Sequence, residues 1–302
     1  MYLGMMFLGL IGCSRRPEPA LTIPSMEGST ESEQFVSSSD GLESIEPTKS
    51  TSEASSEKVS EDAITLYLAQ FKDKPLSIYI KEIEGETSYG VNETVIMYGA
   101  SVAKLPIILY TQEQLKSGVI KGDTYYDYTD EVNKISGAMI RGGTGIMQGM
   151  LETRQAFRVD ELLAWSITQS DNLASNMLGY YVAQGNGEAF LQAMEPYYTF
   201  EQLVFTKNMT AQTAGNLMLA IYHNRIGLDY FKETAWHQEK IGVLDKLTYH
   251  KIGTNEAFNH DVGIVMGQKG YVLSILSEGY SNEELERIIK EIDGLLEGGK
   301  VL

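Results

Sequence analysis

The sequence predicts a mixed α/β fold of the α+β kind, built on an antiparallel sheet flanked by helices, and three observations point there. Three strand-like runs close together near the C-terminus are separated by short turns. Several amphipathic helical runs fill the middle of the chain. A helix followed by two further strands opens the folded part. With 302 residues the chain can hold one large domain and an appendage.

In order, a helix is expected over residues 61–72, where Ile64, Leu68 and Phe71 share one face, and strands follow near 76–83 and 87–91. Apolar residues recur at helical spacing over 105–115 until Gly118 ends the run, and Pro106 is tolerable so close to a first turn. Residues 159–169 form an amphipathic helix, and a second apolar run covers 173–181 after a short polar break. Strands over 247–253, 261–266 and 271–277 make an antiparallel meander, the last two joined by the turn Gly267-Gln268-Lys269-Gly270. Ser281-Asn282-Glu283-Glu284 is a capping box ahead of Leu285, Ile288, Ile289 and Ile292, which places a helix last. There is no internal repeat and no Gly-rich phosphate loop.

Upstream of residue 61 the composition changes. Residues 1–12 are almost wholly apolar and run into Leu10-Ile11-Gly12-Cys13, which resembles a bacterial lipoprotein signal whose cysteine is lipid-modified after cleavage. No charged residue precedes the apolar stretch, as an n-region would require. Cys13 is the sole cysteine and stands at the one position such a signal demands, so no internal disulfide is expected. Twelve apolar residues are too few to span a bilayer comfortably. Residues 14–60 are rich in Ser, Thr, Glu and Pro and cannot bury enough apolar surface to offset their ordering entropy, which predicts a disordered tether reaching roughly 40 Å. The expectation is a domain over 61–302 held outside the cell membrane by a lipid anchor.

The formal net charge of −17 argues against nucleic-acid partners and against electrostatic binding to anionic lipid. His223, His237, His250 and His260 have no metal-ligand spacing, so neither a metal nor a cofactor is expected. Nothing like a G-x-S-x-G elbow accompanies a Ser-His-Asp triad that would use His250 or His260.

Three motifs carry the chemistry. Ser101-Val102-Ala103-Lys104 stands at the expected start of a helix, where backbone N–H groups and the helix dipole favour a developing anion. Positions i and i+3 share a face, so the Lys104 amine can lie beside the Ser101 hydroxyl and take its proton if burial or a nearby cation keeps the amine neutral. Ser170-Asp171-Asn172 falls at the break between two helices, where polar groups can project into a cleft; Asp171 serves a cap as readily as a site. Lys251-Ile252-Gly253 lies on an expected edge strand, where the cation can meet a carboxylate and Gly253 lets a substrate backbone approach closely.

In this order the S-x-x-K, S-D-N and K-x-G motifs resemble those of the penicillin-recognising serine enzymes, most closely the class A β-lactamase-like hydrolases, from about residue 60 to the end. Gly142-Gly143-Thr144-Gly145 and His260-Asp261-Val262-Gly263-Ile264-Val265 look like further family patches. The resemblance implies a sheet of N- and C-terminal strands beside a helical subdomain, with the cleft between. It implies Ser101 as nucleophile, Lys104 as base, Ser170 as proton relay, Asn172 as contact to the substrate amide and Lys251 as carboxylate anchor. Backbone N–H groups of Ser101 and Thr254 would form the oxyanion hole, each worth about 3 kcal/mol of barrier. The implied substrates are β-lactams or D-alanyl peptides.

Two departures stand out. Ile252 replaces the family's usual threonine, so one hydroxyl to a substrate carboxylate is missing. No Glu-x-x-x-Asn segment, whose glutamate would activate the deacylating water, lies between the second and third motifs: Glu195 is followed by Thr199, and Glu201 has no asparagine four residues on. A shortened loop and slow deacylation are expected. The trio of motifs favours an acylating enzyme, whereas these departures favour a non-catalytic cell-envelope binding lipoprotein that keeps the fold.

Overall fold

A computed structural model describes residues 63–185, 187–198 and 207–298. All of them belong to one of the two units into which the chain divides, Lys49–Leu302. The expected signal, Cys13 and the tether lie outside the described residues.

Helix α1 runs through residues 63–69. Strands β1 (Leu76–Glu82) and β2 (Ser88–Val91) form a hairpin, and a short strand β3 (Met97–Tyr98) leads to a 3₁₀ segment, Ala100–Lys104, and helix α2 (Leu105–Lys116). Strands β4 (Tyr125–Asp127) and β5 (Ala156–Arg158) pair across a long loop. Helices α3 (Val159–Thr168), α4 (Asn172–Tyr181) and α5 (Glu188–Met194) follow, then β6 (Asn208–Met209), paired with β3, and helix α6 (Ala211–Asn224). Strands β7 (Thr248–Asn255), β8 (Phe258–Val265) and β9 (Tyr271–Ser277) precede the last helix, α7 (Asn282–Leu296). The five-stranded sheet is antiparallel in the order β2-β1-β9-β8-β7, so β7 is an edge, as the meander predicts.

Alternation along the strands sends residues to two cores. Ile78, Ile80, Leu273 and Ile275 face one side, where Ile64 and Leu68 of α1 and Ile288, Ile289 and Ile292 of α7 cover them. Tyr79, Val262, Val272 and Leu276 face the other side and join a core made with α2, α3, α4 and α6. First and last helices thus share a sheet face. The Ser281 hydroxyl accepts from the Glu284 N–H at 3.2 Å while the Glu284 carboxylate accepts from the Ser281 N–H at 2.8 Å, which completes the expected capping box.

The sequence reading did not find α6. This helix sits between the sheet and α2, and Gly215 lets it approach so closely that an added Cβ would stand 2.6 Å from the Tyr79 ring. A second difference concerns Ser101. The residue lies in the 3₁₀ segment, ahead of the α-helix whose first turn was expected to begin there. Pro106 has no N–H to give the Val102 carbonyl, so an α-helical ladder cannot start that early, and the Leu105 N–H takes that carbonyl in a tighter turn.

Candidate active site

The turn that carries Ser101 is held from both sides. The Gly99 N–H donates to the Lys207 carbonyl (2.7 Å), and Ala100 adopts a left-handed conformation with φ +46°. From β8, His260 Nε2 meets the Tyr98 carbonyl at 2.8 Å while its Nδ1 accepts from the Ser277 N–H at 3.0 Å, which fixes the proton on Nε2. Burial lowers the His260 pKa to about 4, so the ring is a neutral strut between the central sheet and this turn. His250 places Nδ1 on Asp261 at 2.9 Å. Neither ring bonds Ser101.

The partner of Ser101 is Lys104. Its Nζ is fully buried and lies 3.0 Å from Ser101 Oγ, 3.1 Å from Ser170 Oγ, 2.6 Å from the Ser170 carbonyl and 2.8 Å from Asn172 Oδ1. Burial first, and then the charge of Lys251, hold the Lys104 ammonium well below the usual lysine range.

As expected, the second motif spans the break between α3 and α4. Ser170 is left-handed at φ +49°, and its carbonyl and hydroxyl both meet Lys104. A left-handed non-glycine residue costs of order 1 kcal/mol, and the surrounding hydrogen bonds hold it there. Asp171 is the N-cap of α4: Oδ1 accepts from the Ala174 N–H (3.0 Å), while Oδ2 accepts from the N–H groups of Ile146 and Met147, both at 2.7 Å. Its carboxylate therefore ties the Gly-rich patch to the second motif. At Gly145, with φ +126°, an added Cβ would stand 2.3 Å from the Asp171 side chain. Asn172 points Oδ1 at Lys104, and its Nδ2 donates to the Ile140 carbonyl at 2.8 Å.

Lys251 lies on the edge strand β7 and is 1% exposed. Its Nζ donates to Ser170 Oγ (2.7 Å) and to the Ile252 carbonyl (3.1 Å). Burial pulls its pKa down to about 7, with Asp261 working against the shift and Lys240 adding to it. The hydroxyl of Ser170 thus bridges two buried lysines. Gly253 needs a correction. The space beside it is filled by the protein's own chain: an added Cβ would stand 2.9 Å from both the Gly99 carbonyl and the Val102 N. The close approach that requires this glycine is that of the Ser101 turn, since β7 packs directly on it.

A cleft of about 240 Å³ opens over Ser101 and Ser170. Ile252 and Thr254 of β7 form one wall and Thr144 of the Gly-rich patch another. The remainder comes from three residues the sequence did not assign to the site, Trp236, Glu239 and Asn282. They belong to a turn before β7 and to the start of α7, so no local pattern joins them. Lys104, Asn172 and Lys251 stand behind this surface. Glu195 is an exposed residue at the end of α5, and Glu201 lies outside the described residues. Among the described residues, no group of three His, Cys, Asp or Glu side chains could hold a metal ion.

Fold and site together define a serine-and-lysine centre set between an antiparallel sheet and a helical half. The chain belongs to the beta-lactamase enzyme family, whose model matches residues 59–295. In structure it is similar to PBP-A, at 16% identity and a TM-score of 0.61, over 78% of this chain and 94% of that one. It is also similar to a β-lactamase from Chitinophaga pinensis DSM 2588 (17%, TM-score 0.62, 79% and 98%) and to the TLA-1 extended-spectrum β-lactamase (18%, TM-score 0.62, 78% and 97%). A mutant of PBP-A is known as an acyl-enzyme complex with penicillin G. At these identities the likeness is one of fold. No curated protein sequence matches the chain.

Proposed function

We propose that the protein is a serine hydrolase that forms an acyl-enzyme on Ser101 with β-lactams or D-alanyl peptides. One observation carries the reading. Of the four groups around Lys104 Nζ, the Ser170 carbonyl and Asn172 Oδ1 can only accept. A neutral amine has two N–H groups for these two acceptors, and its lone pair is left for the hydroxyls of Ser101 and Ser170. Asn172 is held in this orientation because its Nδ2 donates to the Ile140 carbonyl.

In the proposed reaction Ser101 Oγ attacks the substrate carbonyl and its proton passes to Lys104 Nζ. The oxyanion is met by the Ser101 and Thr254 N–H groups. The C–N bond then breaks as Ser170 Oγ gives its proton to the leaving nitrogen, and Lys104 or Lys251 reprotonates Ser170. The bridging position of the Ser170 hydroxyl, 3.1 Å and 2.7 Å from the two amines, supports this relay. That penicillin G acylates a PBP-A mutant of the same fold supports the choice of substrate. With no Glu-x-x-x-Asn segment between the second and third motifs, the acyl-enzyme should turn over slowly. Lipid attachment at Cys13 would hold the domain at the outer face of the cell membrane.

The test is intact mass against time for the full chain mixed with a penicillin. The expected product is a long-lived adduct on Ser101 that Ser101→Ala abolishes. No adduct on a folded protein refutes the reading and favours a binding lipoprotein that keeps the fold.

A further inference from the structure

Among the described residues that line the cleft, Glu239 is the one with a charged side chain. The two lysines behind that surface are buried, and the Lys251 amine is already bonded to Ser170 Oγ and the Ile252 carbonyl. Lys240, next in the chain to Glu239 and acted on by its charge as well as by those of Asp261 and Glu286, is buried too, so the charged group that faces a ligand among the described lining residues is the Glu239 carboxylate. Its position is fixed: Asn282 Nδ2 donates to Glu239 Oε2 at 3.0 Å, and Asn282 Oδ1 accepts from Asn259 Nδ2 at 2.9 Å, which sets the direction of the Asn282 amide. Among the described residues Glu239 Oε1 has no donor. Trp236 lines the same cleft from the same turn, closed by the Glu239 N–H on the Trp236 carbonyl at 2.9 Å.

A carboxylate and an indole that line one cleft suit a cation: the carboxylate supplies charge-assisted hydrogen bonds, and an aromatic ring attracts positive charge over its face. A substrate carboxylate placed there would instead meet a like charge, and Ile252 offers it no hydroxyl. We infer that Glu239 and Trp236 select acyl substrates that present a primary amine, as an ammonium group, at this end of the cleft. The inference rests on the acyl-enzyme reading and names its substrate class.

Three forms of one penicillin test it: the free carboxylate, its neutral methylamide and its 2-aminoethyl amide. The rate of Ser101 adduct formation is followed by intact mass for wild-type and Glu239→Gln protein. In the wild type the aminoethyl amide should react about tenfold faster than the methylamide, and the free carboxylate slowest. Glu239→Gln, which can keep the Asn282 bond, should bring the aminoethyl and methyl amides within about twofold of each other and raise the carboxylate's relative rate. Trp236→Leu should lower the preference for the amine by about threefold. Adducts that form equally fast with all three compounds, or an amine preference that survives in Glu239→Gln, overturn the inference and leave the acyl-enzyme intact. No adduct with any of the three on folded protein overturns the acyl-enzyme reading, and the inference with it.

Discussion

Replacing Lys251 with Met should make the protein more stable in mild acid and less stable in alkali. The fold lowers the Lys251 pKa from 10.5 to about 7. Below pH 7 the group is charged in both folded and unfolded chains, and its burial penalty is then fully present. The penalty fades as pH rises from 7 towards 10.5, because the folded chain gives up its proton first. A shift from 10.5 to about 7 corresponds to about 5 kcal/mol at 1.36 kcal/mol per unit. Methionine removes that penalty and also the two hydrogen bonds of the amine, worth about 1 kcal/mol each. The variant should therefore gain about 3 kcal/mol at pH 6 and lose about 1 kcal/mol at pH 10, a swing of about 4 kcal/mol. Urea unfolding of both proteins at the two pH values measures it. A stability difference that does not depend on pH, or one that favours lysine at pH 6, would refute the buried-cation argument.

Two more consequences follow from the same arrangement. Acylation of Ser101 should rise with pH as Lys104 loses its proton and should level off well below pH 10.5; Lys251→Met removes a positive neighbour and so should move that limb to higher pH, which adduct formation against pH will show. Asp171→Asn keeps one carbonyl oxygen where the carboxylate now accepts three backbone N–H groups, so at least one buried donor loses its partner at a cost of about 2 kcal/mol. A shift in unfolding free energy under about 0.5 kcal/mol would show that Asp171 does not hold the Gly-rich loop.

The parts legible in the sequence are those in which local pattern and tertiary role coincide. The meander shows because β9 is buried along its whole length, β8 at every residue but Phe258, and the Gly267–Gly270 segment separates them. Helix α7 shows because its apolar stripe begins at its own capping box. Helix α6 is buried on more than one side, and the small Ala214 and Gly215 let it pack close, which blurs the one-faced period of a surface helix. The order of the three motifs told which residues gather at the cleft. It could not show that Ala100 and Ser170 are left-handed, since neither is glycine, nor that residues as far apart as Trp236 and Asn282 share a wall.

The contact at Gly253 also bears on how such a site changes over time. At Gly253 strand β7 meets the backbone of the serine turn directly, so nucleophile and sheet edge form one mechanical unit with almost no tolerance for an added atom. The walls at Thr144, Trp236, Glu239 and Asn282 are set by separate loops and a helix end. Mutation can therefore reshape what enters the cleft while the reacting atoms stay in register, which divides the domain into an inherited engine and a replaceable mouth.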